Sequence, residues 1–176
     1  QKSGLHKAKS IHIHALNENS WVQFLTSSQL ILGEQLREEI AISDIKKNNL
    51  INDKVKSKLA KKLNRIHNHS EVHITFVPRG LGLSKLTSNK RHNTQTRRRF
   101  MLLGQTLAGQ QAFDIIQCIR ATRSLDIYKS IPLELWGDGH TSSLITISAI
   151  FQKGIHKINL LNYPKTDKEQ PDYLNI

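Results

Sequence analysis

The chain has 176 residues, a mass of 20.1 kDa and a single cysteine, Cys118. That length fits one domain with a real core, and one cysteine excludes an internal disulfide framework or a multi-cysteine metal site. Lys plus Arg number 26 against 14 Asp plus Glu, a net charge of +12, which attracts nucleic acid, acidic lipid or acidic polysaccharide without choosing among them.

Hydrophobic residues make up 38% and charged residues 23%, the composition of a soluble globular chain. Aromatics are 6% and no basic stripe is interleaved with them, so nucleic acid is not the expected partner. No apolar run reaches the ~20 residues of a transmembrane helix. The chain opens at Gln1 rather than Met, as a processed chain or excised segment would, with any targeting signal upstream.

In chain order, Ile11 to Leu16 alternates and predicts a short strand. Asn17 to Ser20 is turn-like, with Ser20 as the predicted N-cap of a helix from Trp21 to about Gly33. Residues 34–70 mix Lys, Glu and Asn with loosely spaced aliphatics, which predicts a charged helical segment broken near Asn48-Asn49. Glu71 to Val77 is the clearest strand. A glycine loop, Pro78 to Ser84, follows it, and Leu86 to Thr96 reads as a surface loop.

Arg97 to Ser124 carries Phe100, Leu103, Leu107, Ala112, Ile115, Ile116 and Ile119 at three- and four-residue spacings, so it predicts a long helix. Gly104 and Gly109 weaken it and predict a late start or a bend. Ile131 to Trp136 is a further strand, then comes a tight turn, Gly137 to Thr141. Ser142 to Phe151 is a short apolar helix stopped at Gly154, and Ile155 to Leu161 is the last strand. The alternation predicts an α/β fold of three layers, with a mainly parallel sheet and helices on both faces.

Function in such a sheet sits at the carboxyl ends of the strands. Two loops fall there: Arg79-Gly80-Leu81-Gly82-Leu83-Ser84 and Gly137-Asp138-Gly139-His140-Thr141. Strand, R-G-x-G-x-S loop, helix, strand, G-x-G-x-T turn and helix together resemble the middle of an α/β-hydrolase, where the second turn is the nucleophile elbow. Val77 to Gly80, the string Arg97-Arg98-Arg99-Phe100-Met101-Leu102-Leu103-Gly104-Gln105-Thr106-Leu107, Asp114-Ile115 and Pro171 to Asn175 resemble acetyl-xylan-esterase-like proteins of polysaccharide-degrading bacteria. The resemblance covers roughly residues 71–176. It implies a carboxylic-ester hydrolase scaffold for carbohydrate, without a cofactor and with an extracytoplasmic address. The nucleophile it implies would stand at position 139, where this chain has Gly139, and the acid and histidine of the triad would lie beyond Ile176.

The expected protein is therefore an incomplete or degenerate member of that group. The alternative is a module that binds a glycan or an anion, and a third reading is a basic nucleic-acid binder. Arg79, Gly80, Gly82, Ser84, Arg97, Arg98 and Arg99 are the candidate binding residues. The arginine run reads either as an anion patch or as scaffold paired with carboxylates, the latter being expected. Asp138 and His140 could act as an acid–base pair, but a solvated turn capped by Asp138 is the expectation, with Thr141, Ser142 and Ser143 as capping hydroxyls. His12 and His14 share a strand face, and His67, His69 and His73 cluster in sequence. With no Cys and no helical ligand spacing they read as scattered surface histidines, and no metal is expected. Cys118 reads as a buried small hydrophobe.

Overall fold

Among the described residues, four strands form one parallel sheet in the order β2-β1-β3-β4. The structure, a computed structural model, describes residues 8–32, 71–85 and 89–165. β1 is Ser10–Ala15, α1 Glu18–Leu32, β2 Glu71–Phe76, α2 Lys90–Leu102, α3 Leu107–Ser124, β3 Leu133–Asp138, α4 His140–Ile150 and β4 Ile155–Leu161. This is a mixed α/β architecture, and all four predicted strands are present and parallel. The expected charged helical segment 34–70, the stop at Gly33, His67, His69 and Pro171 to Asn175 lie outside the described residues.

The period-two pattern of β1 determines its two faces. Ile11, Ile13 and Ala15 are buried with Leu133 and Leu135 of β3, and against them pack Ala112, Ile115 and Ile119 of α3 and Leu144 and Ile145 of α4. Burying each large aliphatic contributes roughly 1.5–3 kcal/mol, so this core is the main support of the α3 and α4 face of the sheet. Cys118 packs at its margin, where burial pushes its thiol up.

Three boundaries differ from the sequence reading. α1 starts at Glu18, because Asn17, not Ser20, caps it: Asn17 Oδ1 accepts from the Ser20 N–H at 2.8 Å. The stretch 90–96 is helical rather than loop, since Asn89 Oδ1 accepts from the N–H groups of Arg91 and His92 and so nucleates α2. The predicted long helix is two, broken at 103–106, where Thr106 Oγ1 caps α3 through the Gly109 N–H. Leu103, counted as a core position, is exposed at the end of α2, as Leu102 is at 87%. Helical spacing alone could not register that α3 packs on the core while α2 stays largely exposed.

No helix among the described residues is long and apolar enough to cross a membrane.

Candidate functional site

A cavity of about 820 Å³ opens at the carboxyl ends of β1, β2 and β3. The chain leaves β1 toward β2 on one side and reaches β3 on the other. The cavity thus lies where the strand order reverses, the place where open α/β sheets bind ligands. Asn17, Gly80 and Gly139 represent the three strand ends in its wall, Thr96 and Phe100 come from α2, and Gln111 from α3. Thr96 and Phe100, four residues apart, are the half-buried positions in the otherwise exposed stretch 91–102, so α2 is held by its cavity face.

The turn after β3 is abrupt. Asp138 ends the strand, His140 begins α4, and the one residue between, Gly139, has φ 57° and ψ −122°. A side chain is strongly disfavoured there, and glycine adopts it without penalty. A Cβ at Gly139 would meet only Asn17 Nδ2, at 3.7 Å, so space is not what excludes a side chain. Two positions earlier, Gly137 has the opposite problem. A Cβ there would lie 2.8 Å from Ile145 Cδ1 and 2.9 Å from the Ser142 N and Thr141 O. Glycine at 137 lets α4 lie close against β3.

The turn is fastened from several sides. Asn17 Nδ2 donates to the Asp138 carbonyl at 2.9 Å. Thr141 Oγ1 accepts from the Asp138 N–H and donates to the Ala15 or Asp138 carbonyl. Ser142 Oγ donates to the Leu161 carbonyl at 2.8 Å. Thr141 and Ser142 are therefore ties between strands and helix, not helix caps. Ser143 is 2% exposed, and its Oγ has no hydrogen-bond partner among the described residues.

Asp138 and His140 do not meet as a pair. The Asp138 carboxylate accepts from Asn162 Nδ2 at 2.7 Å and does not cap the helix. His140 Nε2 lies 3.1 Å from Gln111 Oε1, and burial lowers the imidazole's pKa by disfavouring its charged form. Gln111 is the hinge pin of the site, because its Nε2 also donates to the Arg79 carbonyl at 2.9 Å. One buried amide thus links the two loops.

The glycine loop after β2 is built for shape. Gly82 has φ 54°, and a Cβ there would touch Trp21 and Val77 at 3.1 Å. Ser84 Oγ accepts from the Gly80 N–H and donates to the Leu81 carbonyl. The Arg79 guanidinium forks onto Asp114, whose Oδ2 also accepts the Arg79 N–H. This bidentate pairing raises the already high pKa of Arg79.

Of the sequence candidates, Gly80, Arg97, Gly139 and His140 therefore share the cavity. Arg79 is turned to Asp114, and Gly82 and Ser84 shape the loop. The expectation that the arginine run pairs with carboxylates is not met for Arg98 and Arg99, which are exposed and without an ion pair among the described residues. Sequence reasoning missed Asn17 and Gln111. Asn17 was within reach, since it follows a strand at its carboxyl end; Gln111 was not, because a glutamine on a helix looks like a solvated position.

Comparison of the chain with protein families, curated proteins and solved structures returned no match.

Proposed function

We propose that this chain is an α/β-hydrolase-like protein of three layers, resembling the acetyl-xylan-esterase-like group, whose cavity holds a glycan without turning it over. The observation that carries this reading is Gly139. It occupies the single-residue turn between strand and helix, at the cavity wall, where that fold presents its nucleophile. Glycine offers no atom to form an acyl intermediate.

The neighbouring hydroxyls do not replace it. Those of Thr141 and Ser142 are buried and bonded to main chain, and that of Ser84 is bonded within its own loop. The cavity wall supports a neutral, polyhydroxylated ligand. It offers the Asn93 amide, the Thr96 hydroxyl and the Phe100 ring, donors and acceptors beside an apolar platform. Lys85, one of its cations, is bonded to Glu18 at 2.7 Å.

The test joins a chromogenic acetyl-ester assay to calorimetric titration with xylo-oligosaccharides. The expected result is no turnover above the uncatalysed rate, with oligosaccharide binding that Phe100→Ala weakens. Robust ester hydrolysis abolished by changing Asp138 or His140 would overturn the proposal, as would the absence of oligosaccharide binding.

A further inference from the structure

The face of the sheet opposite α3 and α4 carries an assembled cluster of imidazoles and carboxylates. Parallel register sets Ser10 beside Glu71, His12 beside His73 and His12 beside Glu134. The His12 and His73 rings stack at 4.8 Å with 10° between planes, and His14 stacks on His73 at 5.2 Å. These are not scattered surface histidines: His12 is 8% exposed, and His73 and Glu71 are half-buried.

We propose that His12, His73 and Glu71 form a binding site for a divalent transition metal. One ligand atom from each lies within 4.8 Å of the other two. A tetrahedral ion with bonds of about 2.0–2.2 Å requires only a modest closing of the three side chains. Two imidazole nitrogens and one carboxylate oxygen suit Zn²⁺, Co²⁺ or Fe²⁺ rather than Mg²⁺ or Ca²⁺, which take oxygen. Water completes the coordination, with the Ser10 hydroxyl, 2.8 Å from His12 Nε2, placed to hold it.

The surroundings supply what ligating histidines need behind them, an acceptor for the other ring N–H. His73 Nε2 faces Glu71 Oε2 at 3.1 Å, and its Nδ1 faces His14 Nε2 at 3.0 Å. With the metal on Nε2, the proton of neutral His73 sits on Nδ1 and is accepted by His14. For His12, Nε2 is the ligand and Nδ1 carries the proton. Glu134 Oε2, 3.6 Å from that Nδ1, comes within hydrogen-bond range of it on closing by a few tenths of an ångström, and is itself held by Asn159 Nδ2 at 3.1 Å. The Trp136 indole N–H, now 3.2 Å from His12 Nδ1, gives up that acceptor, so metal binding has an optical consequence.

The test titrates the full chain with Co²⁺, read by visible absorption, and with Zn²⁺, read by calorimetry and tryptophan fluorescence. Expected are one ion per chain, a tetrahedral-type cobalt spectrum and a fluorescence change that Trp136→Phe removes. Glu71→Gln and His73→Ala should abolish the spectrum, Glu134→Gln should weaken binding about 10–100-fold, and His156→Ala on β4 should leave it intact. A measurement on the wild-type chain guards against variants that fail to fold: Zn²⁺ should protect His12 and His73, but not His156, from diethyl pyrocarbonate. No cobalt spectrum, binding indifferent to Glu71→Gln and His73→Ala, or equal modification of all three histidines would overturn the proposal.

Discussion

At Gly139 the main chain turns from strand to helix in one residue at φ 57°, ψ −122°, and that conformation sets what a substitution there can do. Gly139→Ser has room, since only Asn17 Nδ2 approaches its Cβ, so the variant should fold. It should lose about 1–3 kcal/mol to backbone strain, read by denaturant unfolding. Its ester hydrolysis should stay at the uncatalysed level, because the adjacent His140 is engaged with Gln111 and no base stands poised for the new hydroxyl.

His140 itself makes stability depend on pH. Burial lowers its folded pKa, so the unfolded state binds the proton first. As pH falls below the ordinary histidine value of about 6.5, the unfolded state gains protons that the folded state does not, and stability drops until the folded pKa is passed. Comparing unfolding midpoints at pH 7.5 and in steps below 6.5 checks this. The decline in His140→Gln should be shallower than in the wild-type chain, and an equal or steeper decline would show that other groups govern it.

Among the elements, α4 shows how one close approach governs a helix position. Gly137→Ala would place a methyl against main-chain atoms of Thr141 and Ser142 at 2.9 Å, which cannot swing aside as a side-chain end can. Overpacking of this kind costs about 1–3 kcal/mol, and it should also loosen the turn that Thr141 and Ser142 fasten. α2 behaves oppositely. Arg98 and Arg99 project from an exposed helix without ion pairs among the described residues, so Arg98→Ala with Arg99→Ala should change stability by less than about 0.5 kcal/mol each. A large fall in the unfolding midpoint of that double variant would show that the arginines do hold the scaffold.

For the whole molecule, sheet order predicts a gradient of local stability. β1 lies between β2 and β3, with Ile11 and Ile13 fully buried. Among the described residues β4 is an edge strand, with Ile158, Leu160 and Leu161 exposed. Native-state hydrogen exchange should find the β1 amides slowest, near the global unfolding limit, and those of β4 among the fastest in the sheet. Faster exchange in β1 than in β4 would contradict the sheet order.

Much of the architecture follows from local chemistry. Alternating aliphatics in β1 and β3, an unbroken amphipathic spacing in α3 and glycine turns after β2 and β3 are signals within a few residues of one another, and they predict parallel strands with helical crossovers. The same locality explains the misplaced boundaries. Asn17, Asn89 and Thr106 outcompeted the caps and loops expected from composition, because capping depends on which side chain reaches a free N–H, not on residue type alone. Gly139 at the strand-to-helix turn was likewise legible from one turn. The partners that define the cavity and the histidine face were not. Gln111 reaches Arg79 and His140 from 32 and 29 residues away, and His12 meets His73 through strand register across 61 positions. No periodicity encodes such distances; only the pairing of β1 with β2 and the packing of α3 beneath the two loops brings those side chains together.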